Sequence, residues 1–202
     1  CTEKKDGDVE PCNSCSNCKS IQLGRHVDVI EMDGASKTGV NDIREIIETV
    51  VYRAASAKFK IYIIDEVHML SNSAFNALLK TLEEPPEHVK FIFATTEIQK
   101  IPLTILSRVS RFDLKRVESD VLTNHLLAIL QSEGLGAEKE ALKTISREAA
   151  GSVRDALSIL DQVLVNCEKK IENHMVNELL GKISKSDILS LLELIIKGKT
   201  KE

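Results

Sequence analysis

The sequence predicts an α/β fold, because short apolar strands alternate with amphipathic helices. The predicted strands are HVDVIEMD (26–33), KIYIID (60–65), KFIFATT (90–96) and a closing RFDLKR (111–116). The helices between them cover about 41–57 and 73–83, and Pro85-Pro86 stops the second. Near-continuous apolar strands separated by helices favour a parallel sheet that is covered on both faces.

The pattern changes near Val117, because the later apolar segments have helical spacing and none has strand character. Three short helices are predicted there, and in the third Ser152 and Asp155 have the spacing of a capping box. A last apolar segment, DILSLLELIIK (187–197), predicts the first helix of a further domain. The expected boundaries are a sheet domain at 1–116, a helical domain at 117–180 and the start of another helical domain at 181–202.

Composition excludes some classes of protein and leaves others open. The 202 residues carry 27 basic and 31 acidic side chains, for a net charge of -4. This balance gives no overall attraction to nucleic acid or to a membrane. No apolar run reaches the roughly 20 residues that cross a bilayer, and the first residues lack a signal-peptide core. We therefore expect a cytoplasmic chain with no membrane partner. Because residue 1 is Cys and not Met, we also expect the natural chain to continue upstream of Cys1.

Four of the five cysteines lie within the first eighteen residues, in the pattern C-x10-C-x2-C-x2-C. They are Cys1, Cys12, Cys15 and Cys18. Two C-x2-C steps let backbone turns aim several thiolates at one point, and four sulfur ligands complete a structural Zn²⁺ site with no open position for catalysis. The alternatives are two disulfides or a redox C-x-x-C pair. The isolated Cys167 is interpreted as a small core residue.

The second predicted strand runs directly into two adjacent carboxylates, Asp65 and Glu66. Ligands bind beyond the carboxyl ends of parallel strands in open α/β sheets. In a nucleotide hydrolase the first carboxylate orients Mg²⁺ and the second polarises the attacking water. We therefore predict Asp65 on the metal side and Glu66 as the general base. The alternative is a strand that simply ends at the surface in two acids.

An ordered set of motifs resembles a known family. The motifs are IYIIDEVHMLS, ALLKTLEEPP, FIFATTE, ILSRVSRF and GSVRDALSILDQ. Together they resemble the ATPase subunits of the bacterial clamp loader, the gamma/tau family of DNA polymerase III in the AAA+ superfamily. The cysteine loop is similar to the zinc module inserted in that family. The resemblance implies an AAA+ P-loop NTPase sheet with this zinc loop, followed by a three-helix lid and the start of a helical collar.

The resemblance also implies roles for individual residues. IYIIDE resembles the Walker B strand, which keeps Asp65 and Glu66 in the roles above. Thr96 matches the sensor of the γ-phosphate, although a strand-end threonine can also cap a turn. Arg108 matches the arginine finger that a subunit inserts into its neighbour's ATP site; the family usually has cysteine where this chain has Val109. Arg154 matches the second sensor; the alternative interpretation is an exposed helix arginine that pairs with a neighbouring acid.

For DNA, the resemblance points to Lys37 and Lys80 as phosphate contacts, although most surface lysines are only solvated charges. The implied cofactors are ATP, Mg²⁺ and Zn²⁺. The implied partners are the other subunits of a hetero-oligomeric ring, the sliding clamp, primer-template DNA and the replicative polymerase core. The implied function is ATP-driven loading of the sliding clamp onto primer-template DNA in replication.

One departure from the family is the absence of a G-x-x-x-x-G-K-[ST] loop from the 202 residues. In the family this Walker A loop lies upstream of the zinc module, so we expect these residues alone to carry half of an ATP site and to be inactive. Two other functions fit parts of the pattern. One is a non-hydrolysing clamp-loader subunit of the delta-prime type, and the other is a zinc-bearing scaffold that binds nucleic acid or protein.

Overall fold

The structure, a computed structural model, describes residues 1–3, 10–36, 39–165, 167, 170–182 and 185–196. The chain divides into two compact units, Cys1–Phe112 and Asp113–Glu202, and each has its own hydrophobic core. The domain boundaries at 116 and 180 that the sequence suggested stay predictions. None of the described helices has the length and apolar character needed to span a bilayer.

The first unit is built on a parallel sheet of three strands in the order β1, β2, β3. The strands are β1 (Val29–Asp33), β2 (Lys60–Asp65) and β3 (Val89–Phe93). Asp33 pairs with Asp65 in the register, so β1 and β2 end side by side. The three predicted strands are confirmed, and two of them are shorter than the apolar runs that predicted them.

The helices of the first unit are α1 (Ser16–Gln22), α2 (Val40–Val50), α3 (Asn72–Glu83) and α4 (Leu103–Leu106), with single 3-10 turns at Val67–Met69 and Ile98–Lys100. Ser71 caps α3, because its side chain accepts a hydrogen bond of 3.2 Å from the backbone N–H of Ala74. Phe75 and Leu78 are buried on one face of α3, as their helical spacing predicts. Burial of such side chains stabilises the fold by roughly 1.5–3 kcal/mol each.

Helix α2 ends at Val50, seven residues before the end that the apolar spacing predicted. Val51 is 75% exposed instead of lying on the buried face. A tertiary contact prevents a helix that runs through residue 57: the backbone N–H groups of Ala55, Ser56 and Ala57 donate to the carboxylate of Asp28. These donors are therefore not available to continue the helix.

Asp28 is a buried carboxylate, only 2% exposed, at the start of the sheet. Its oxygens accept the three backbone hydrogen bonds at 2.7–2.8 Å and a fourth from the Ser56 hydroxyl at 3.1 Å. Burial alone would raise the pKa of Asp28, but these hydrogen bonds outweigh it and lower the pKa to about 2. The buried His26 ring lies beside them, with Nδ1 accepting from the Asp28 N–H at 3.1 Å. Asp28 thus fixes the connection between α2 and β2.

The second unit is mainly helical. Its elements are α5 (Ser119–Ser132), β4 (Gly136–Ala137), α6 (Lys139–Glu148), α7 (Val153–Leu164), β5 (Lys170–Ile171), α8 (Asn173–Leu179) and α9 (Lys185–Ile196). Buried leucines and Ile145 from α5, α6 and α7 form the core, which confirms the three helices predicted after residue 117. Half of the predicted capping box is present, because Ser152 accepts from the Asp155 N–H at 3.2 Å.

Two sequence predictions for the region after β3 are wrong. The segment 111–116 forms no strand; the N–H of Val117 donates to Gly151 at 3.1 Å and the Arg116 guanidinium donates to Ala150 at 2.8 Å. At the end of this segment the chain is therefore hydrogen-bonded to the turn at Ala150 and Gly151 rather than to another strand. Conversely, β4 and β5 form a short parallel pair where only helices were expected. Two residues are too few to leave an alternating pattern in the sequence.

We expect Asp28→Asn to lower the free energy of unfolding of the chain by about 2 kcal/mol, because an amide accepts fewer of the buried N–H donors. The pKa of Asp28 is lower in the folded state, so its contribution is complete above pH 3.8 and is lost as the pH falls toward about 2. Urea unfolding between pH 5 and pH 2 measures both effects. Glu45→Gln, on the exposed side of α2, is the control. Equal pH slopes in wild type and Asp28→Asn would contradict the assignment.

Candidate functional site

The candidate site lies at the carboxyl edge of the sheet, where the ends of β1 and β2 are joined. The backbone N–H of Gly34 donates to the carbonyl of Asp65 at 2.8 Å. The Asp33 carboxylate accepts from the Ser36 hydroxyl at 2.6 Å and from the Ala35 N–H at 2.8 Å. These hydrogen bonds, with that from Ser36 first, lower the pKa of Asp33. The turn after β1 is thereby fixed against the end of β2.

Gly34 permits this close approach because it has no side chain. A Cβ at this position would lie 2.8 Å from the Glu66 carbonyl oxygen and 2.9 Å from that of Asp65. Both are backbone atoms, so they could not give way without moving the peptide that carries the two carboxylates. Gly34 therefore helps to position the two carboxylates, although it contributes no functional group to the site.

Asp65 and Glu66 lie at the end of β2, as the sequence predicts, and the backbone turns sharply between them. Glu66 has a left-handed conformation, with φ 45° and ψ 44°. Such a conformation costs a non-glycine residue roughly 1–2 kcal/mol. Its N–H donates to Asp65 Oδ1 at 2.9 Å, and the next N–H, from Val67, donates to Ala94 at 2.9 Å. Asp65 is exposed, as a carboxylate that binds a partly hydrated Mg²⁺ has to be.

The Glu66 side chain points toward the end of the third strand. Its Oε2 accepts a hydrogen bond of 3.2 Å from the hydroxyl of Thr96 and lies 3.2 Å from Nδ1 of His68. The structure thus brings Asp65, Glu66 and Thr96 together at one edge. A carboxylate held in this way is suited to accept a proton from a water molecule beside it.

His68 is a site residue that the sequence analysis missed. Its side chain is only 7% exposed, and its Nδ1 also lies 3.0 Å from the Thr95 hydroxyl. Nε2 is 3.3 Å from Oε1 of Glu97, which in turn accepts from Lys100 Nζ at 2.7 Å. The Lys100 contact is the main reason that the pKa of Glu97 is lowered. The available signal was the position of His68, two residues after Glu66 and on the same turn.

The other predicted site residues belong to other segments or lie outside the described residues. Arg108 contacts Glu83 at the end of α3 and the backbone of Thr104. Lys80 is exposed on α3. Arg154 is exposed in the first turn of α7, in the second unit. Lys37 lies outside the described residues.

The four cysteine sulfurs converge as the spacing predicts. The Sγ atoms of Cys1, Cys12, Cys15 and Cys18 all lie within 4.8 Å of one another, and all are free thiols. Four ligands at a zinc–sulfur distance of about 2.3 Å form a tetrahedron with edges of about 3.8 Å. The distance between the sulfurs of Cys12 and Cys18 is 3.8 Å. The cluster is therefore the right size for a tetrahedral metal ion.

The backbone around the cluster favours thiolates. The N–H of Cys18 donates to Cys15 Sγ at 3.4 Å, and that of Cys15 donates to Cys12 Sγ at 3.3 Å. The first of these bonds, with contacts from Thr2, lowers the pKa of Cys15 to about 6. Burial raises the pKa of Cys18. Helix α1 begins directly after Cys15 and places Cys18 in its first turn.

Two family models match this chain and identify the family to which it belongs. Residues 1–118, more than half of the chain, match the model described as "DNA polymerase III, delta subunit". Residues 121–169 match the model described as "DNA polymerase III clamp loader subunit, ATPase lid domain". The chain belongs to this family of DNA polymerase III subunits. The resemblance drawn from the sequence motifs is confirmed.

Individual relatives agree with this assignment. The chain is 48% identical over 188 residues to the DNA polymerase III subunit tau of Escherichia coli. The aligned residues cover 93% of this chain and 29% of the relative. It is 54% identical over 155 residues to subunit tau of Bacillus subtilis, covering 77% and 28% of the two chains. A DNA polymerase III subunit gamma of Buchnera aphidicola is 44% identical over 192 residues, covering 95% and 53%. This clamp-loader family member thus spans less than a third of the two tau subunits and about half of the gamma subunit.

Solved structures confirm the fold class. The RuvB Holliday junction branch migration motor of Thermotoga maritima has a TM-score of 0.64 to this chain at 18% identity, covering 88% of this chain and 62% of RuvB. The likeness concerns the fold alone. The fold of this clamp-loader family member is therefore the AAA+ type of α/β fold, with a parallel sheet and a helical lid.

We expect Gly34→Ala to lower the free energy of unfolding by about 1–3 kcal/mol, because the added methyl meets two backbone carbonyls. Gly39→Ala is the control, since the nearest atom to its added Cβ is a flexible Asp42 carboxylate oxygen at 3.0 Å. Its cost is expected to be about 1 kcal/mol or less. Thermal and urea unfolding of the two variants give the comparison. Equal stability of Gly34→Ala and wild type would show that the close approach of the two strand ends is not required.

Proposed function

We propose that this chain is part of an ATP-driven clamp-loader subunit, which opens the sliding clamp and loads it onto primer-template DNA in replication. Membership of the DNA polymerase III family supports the proposal. The structural observation that carries it is the hydrogen bond of 3.2 Å from Thr96 to Glu66 at the strand edge beside Asp65. A strand that simply ended in two surface acids would not need a polar contact from the segment that follows the next strand.

Each residue of the edge has a defined task in this proposal. Bound ATP supplies the γ-phosphoryl group and Mg²⁺ offsets its negative charge. The exposed Asp65 orients the metal ion, and Glu66 accepts a proton from the attacking water. Thr96 donates to Glu66 Oε2 at 3.2 Å and is the polar sensor of the γ-phosphate. His68, 3.2 Å from the same oxygen, limits the directions in which the carboxylate can turn.

Two further residues, which lie on other segments, take part in this proposal. Arg108 is the arginine finger for the ATP site of a neighbouring subunit, where a guanidinium offsets charge on the transferring group. Arg154, in the first turn of α7, is the second sensor and couples the lid to the nucleotide. Both assignments rest on the family motifs S-R-V and G-S-V-R-D in this sequence.

The proposed partners follow from the family. They are the other subunits of a hetero-oligomeric ring, the sliding clamp, primer-template DNA and the replicative polymerase core, all within the bacterial cytoplasm. Lys80 and Lys37 contact DNA phosphates without reading the base sequence. The exposure of Lys80 on α3 supports this assignment.

The cysteine cluster is proposed to hold a structural Zn²⁺. Four converging thiols fill every position of a tetrahedral site, so the metal would stabilise the first residues of the chain and take no part in catalysis. The amide hydrogen bonds to the sulfurs of Cys12 and Cys15 would stabilise the thiolates that ligate the metal.

A second candidate is a clamp-loader subunit that does not hydrolyse ATP. The family description that matches residues 1–118 names a delta subunit, which favours it. The intact Asp65-Glu66 pair, held by Thr96, favours the hydrolysing subunit instead. The following experiment separates the two.

In the complete subunit assembled with its partners, we expect Glu66→Gln to keep ATP binding and to lower the hydrolysis rate by roughly 10²–10⁴-fold, because the general base is lost. Nucleotide binding and steady-state ATPase assays measure the two effects. Glu48→Gln, an exposed change on α2, is the control. Every copy of this subunit in the ring has to carry the change, because unchanged copies would continue to hydrolyse ATP. Unchanged turnover would favour the non-hydrolysing subunit or the scaffold.

We expect the purified chain to carry about one zinc ion, because its four sulfurs fit one tetrahedral site. Cys15→Ala should remove it, since three ligands bind more weakly, whereas Cys167→Ala should retain it. Elemental analysis by mass spectrometry gives the metal content, and titration with a chelator gives the relative affinity. Zinc content unaffected by Cys15→Ala would contradict the assignment.

A further inference from the structure

Arg108 is held in place by two separate elements of the first unit. Its NH1 donates to the carbonyl of Thr104 at 2.6 Å and to the hydroxyl of Ser107 at 3.1 Å. Its Nε donates to Oε1 of Glu83 at 3.1 Å, and its NH2 donates to the same oxygen. Thr104 belongs to α4 and Glu83 is the last residue of α3. The guanidinium therefore bridges the ends of two helices.

The pair with Glu83 is not explained by stability. The side chains are 31% exposed for Arg108 and 51% exposed for Glu83, and ion pairs at such positions contribute little to folding. Their geometry is nevertheless specific, since two nitrogens of one guanidinium share one carboxylate oxygen. Contacts of this kind restrict the orientation of the arginine plane.

In this orientation most of the N–H donors of Arg108 are already hydrogen-bonded. A guanidinium has five N–H donors. One N–H on Nε, one on NH2 and two on NH1 are used by Glu83, Thr104 and Ser107. Among the residues that the structure describes, no acceptor takes the second NH2 proton, which is left for an outside acceptor. An arginine without these contacts would sample many rotamers and would have to lose that freedom before binding a phosphate.

We propose that Glu83 is a positioning residue for Arg108. It fixes the guanidinium in the orientation from which the remaining NH2 donor reaches the phosphate of a neighbouring subunit. The inference rests on the proposed function of Arg108 as an arginine finger and adds a residue whose only part in the reaction is to act through that arginine. The well-packed Phe75 and Leu78 of α3 give Glu83 a fixed base.

The test uses the complete subunit assembled with its partner subunits, clamp and DNA. We expect Glu83→Ala to lower kcat by roughly tenfold to a hundredfold with KM nearly unchanged, because the arginine is present but misdirected. Arg108→Ala should lower kcat by roughly 10³-fold or more. The double variant should be no slower than Arg108→Ala alone, since Glu83 acts through the arginine.

Two further variants test the physical cause. Glu83→Gln keeps an acceptor oxygen without the charge, so its kcat should lie between those of wild type and Glu83→Ala. Glu84→Ala removes the adjacent exposed glutamate and should leave kcat unchanged. Thermal unfolding of each variant should stay within a few degrees of wild type, because the pair is exposed.

The possible outcomes separate this inference from the proposed function. Wild-type turnover in Glu83→Ala with a large loss in Arg108→Ala would overturn the role of Glu83 and leave the finger intact. A double variant slower than Arg108→Ala would show that Glu83 acts independently, which also overturns the inference. Wild-type turnover in Arg108→Ala would refute the finger itself, and the positioning role with it.

Discussion

The hydrogen bond from the Gly34 N–H to the Asp65 carbonyl is the constraint on which the candidate site depends. It extends the parallel register of β1 and β2 by one step beyond Asp33 and Asp65, and so it fixes the turn after β1 against the peptide that precedes Glu66. The contact is short enough that a single methyl group would prevent it. Because the edge is closed in this way, Asp65 and Glu66 leave the sheet in a defined direction.

That direction requires an unfavourable backbone conformation at Glu66, which neighbouring contacts stabilise. The left-handed φ and ψ angles turn the side chain toward the segment that follows β3, where Thr96 donates to it, and His68 lies beside it. The next amide, of Val67, donates to the carbonyl of Ala94, the residue directly after β3. Each of these hydrogen bonds contributes about 1 kcal/mol, which is comparable to the local strain. Strain that is maintained by polar contacts at a strand end is typical of sites that place a reactive group.

Two carboxylates of the first unit illustrate how burial changes the role of a charge. Asp28 is almost completely buried and accepts four hydrogen bonds, so its negative charge organises the connection from α2 to β2 and contributes to stability. Glu83 is half-exposed and pairs with Arg108 at the surface, where water screens the attraction. The first carboxylate therefore holds the fold together, whereas the second can direct a side chain at little expense to the fold.

The sequence by itself determined the α/β class, the three helices of the segment 117–164, the family and the convergence of the four cysteines. These properties depend on local periodicity, short spacing and ordered motifs, all of which can be recognised in the linear sequence. Only the tertiary structure decided that α2 ends at Val50, that 111–116 is no strand, and that His68 and Glu83 contact Glu66 and Arg108. In each case the deciding partner is distant in sequence or lies across a turn: Asp28 takes the amides after α2, and Arg108 is 25 residues from Glu83. Such contacts leave no period in the sequence, because they arise when separate elements are brought together by the core.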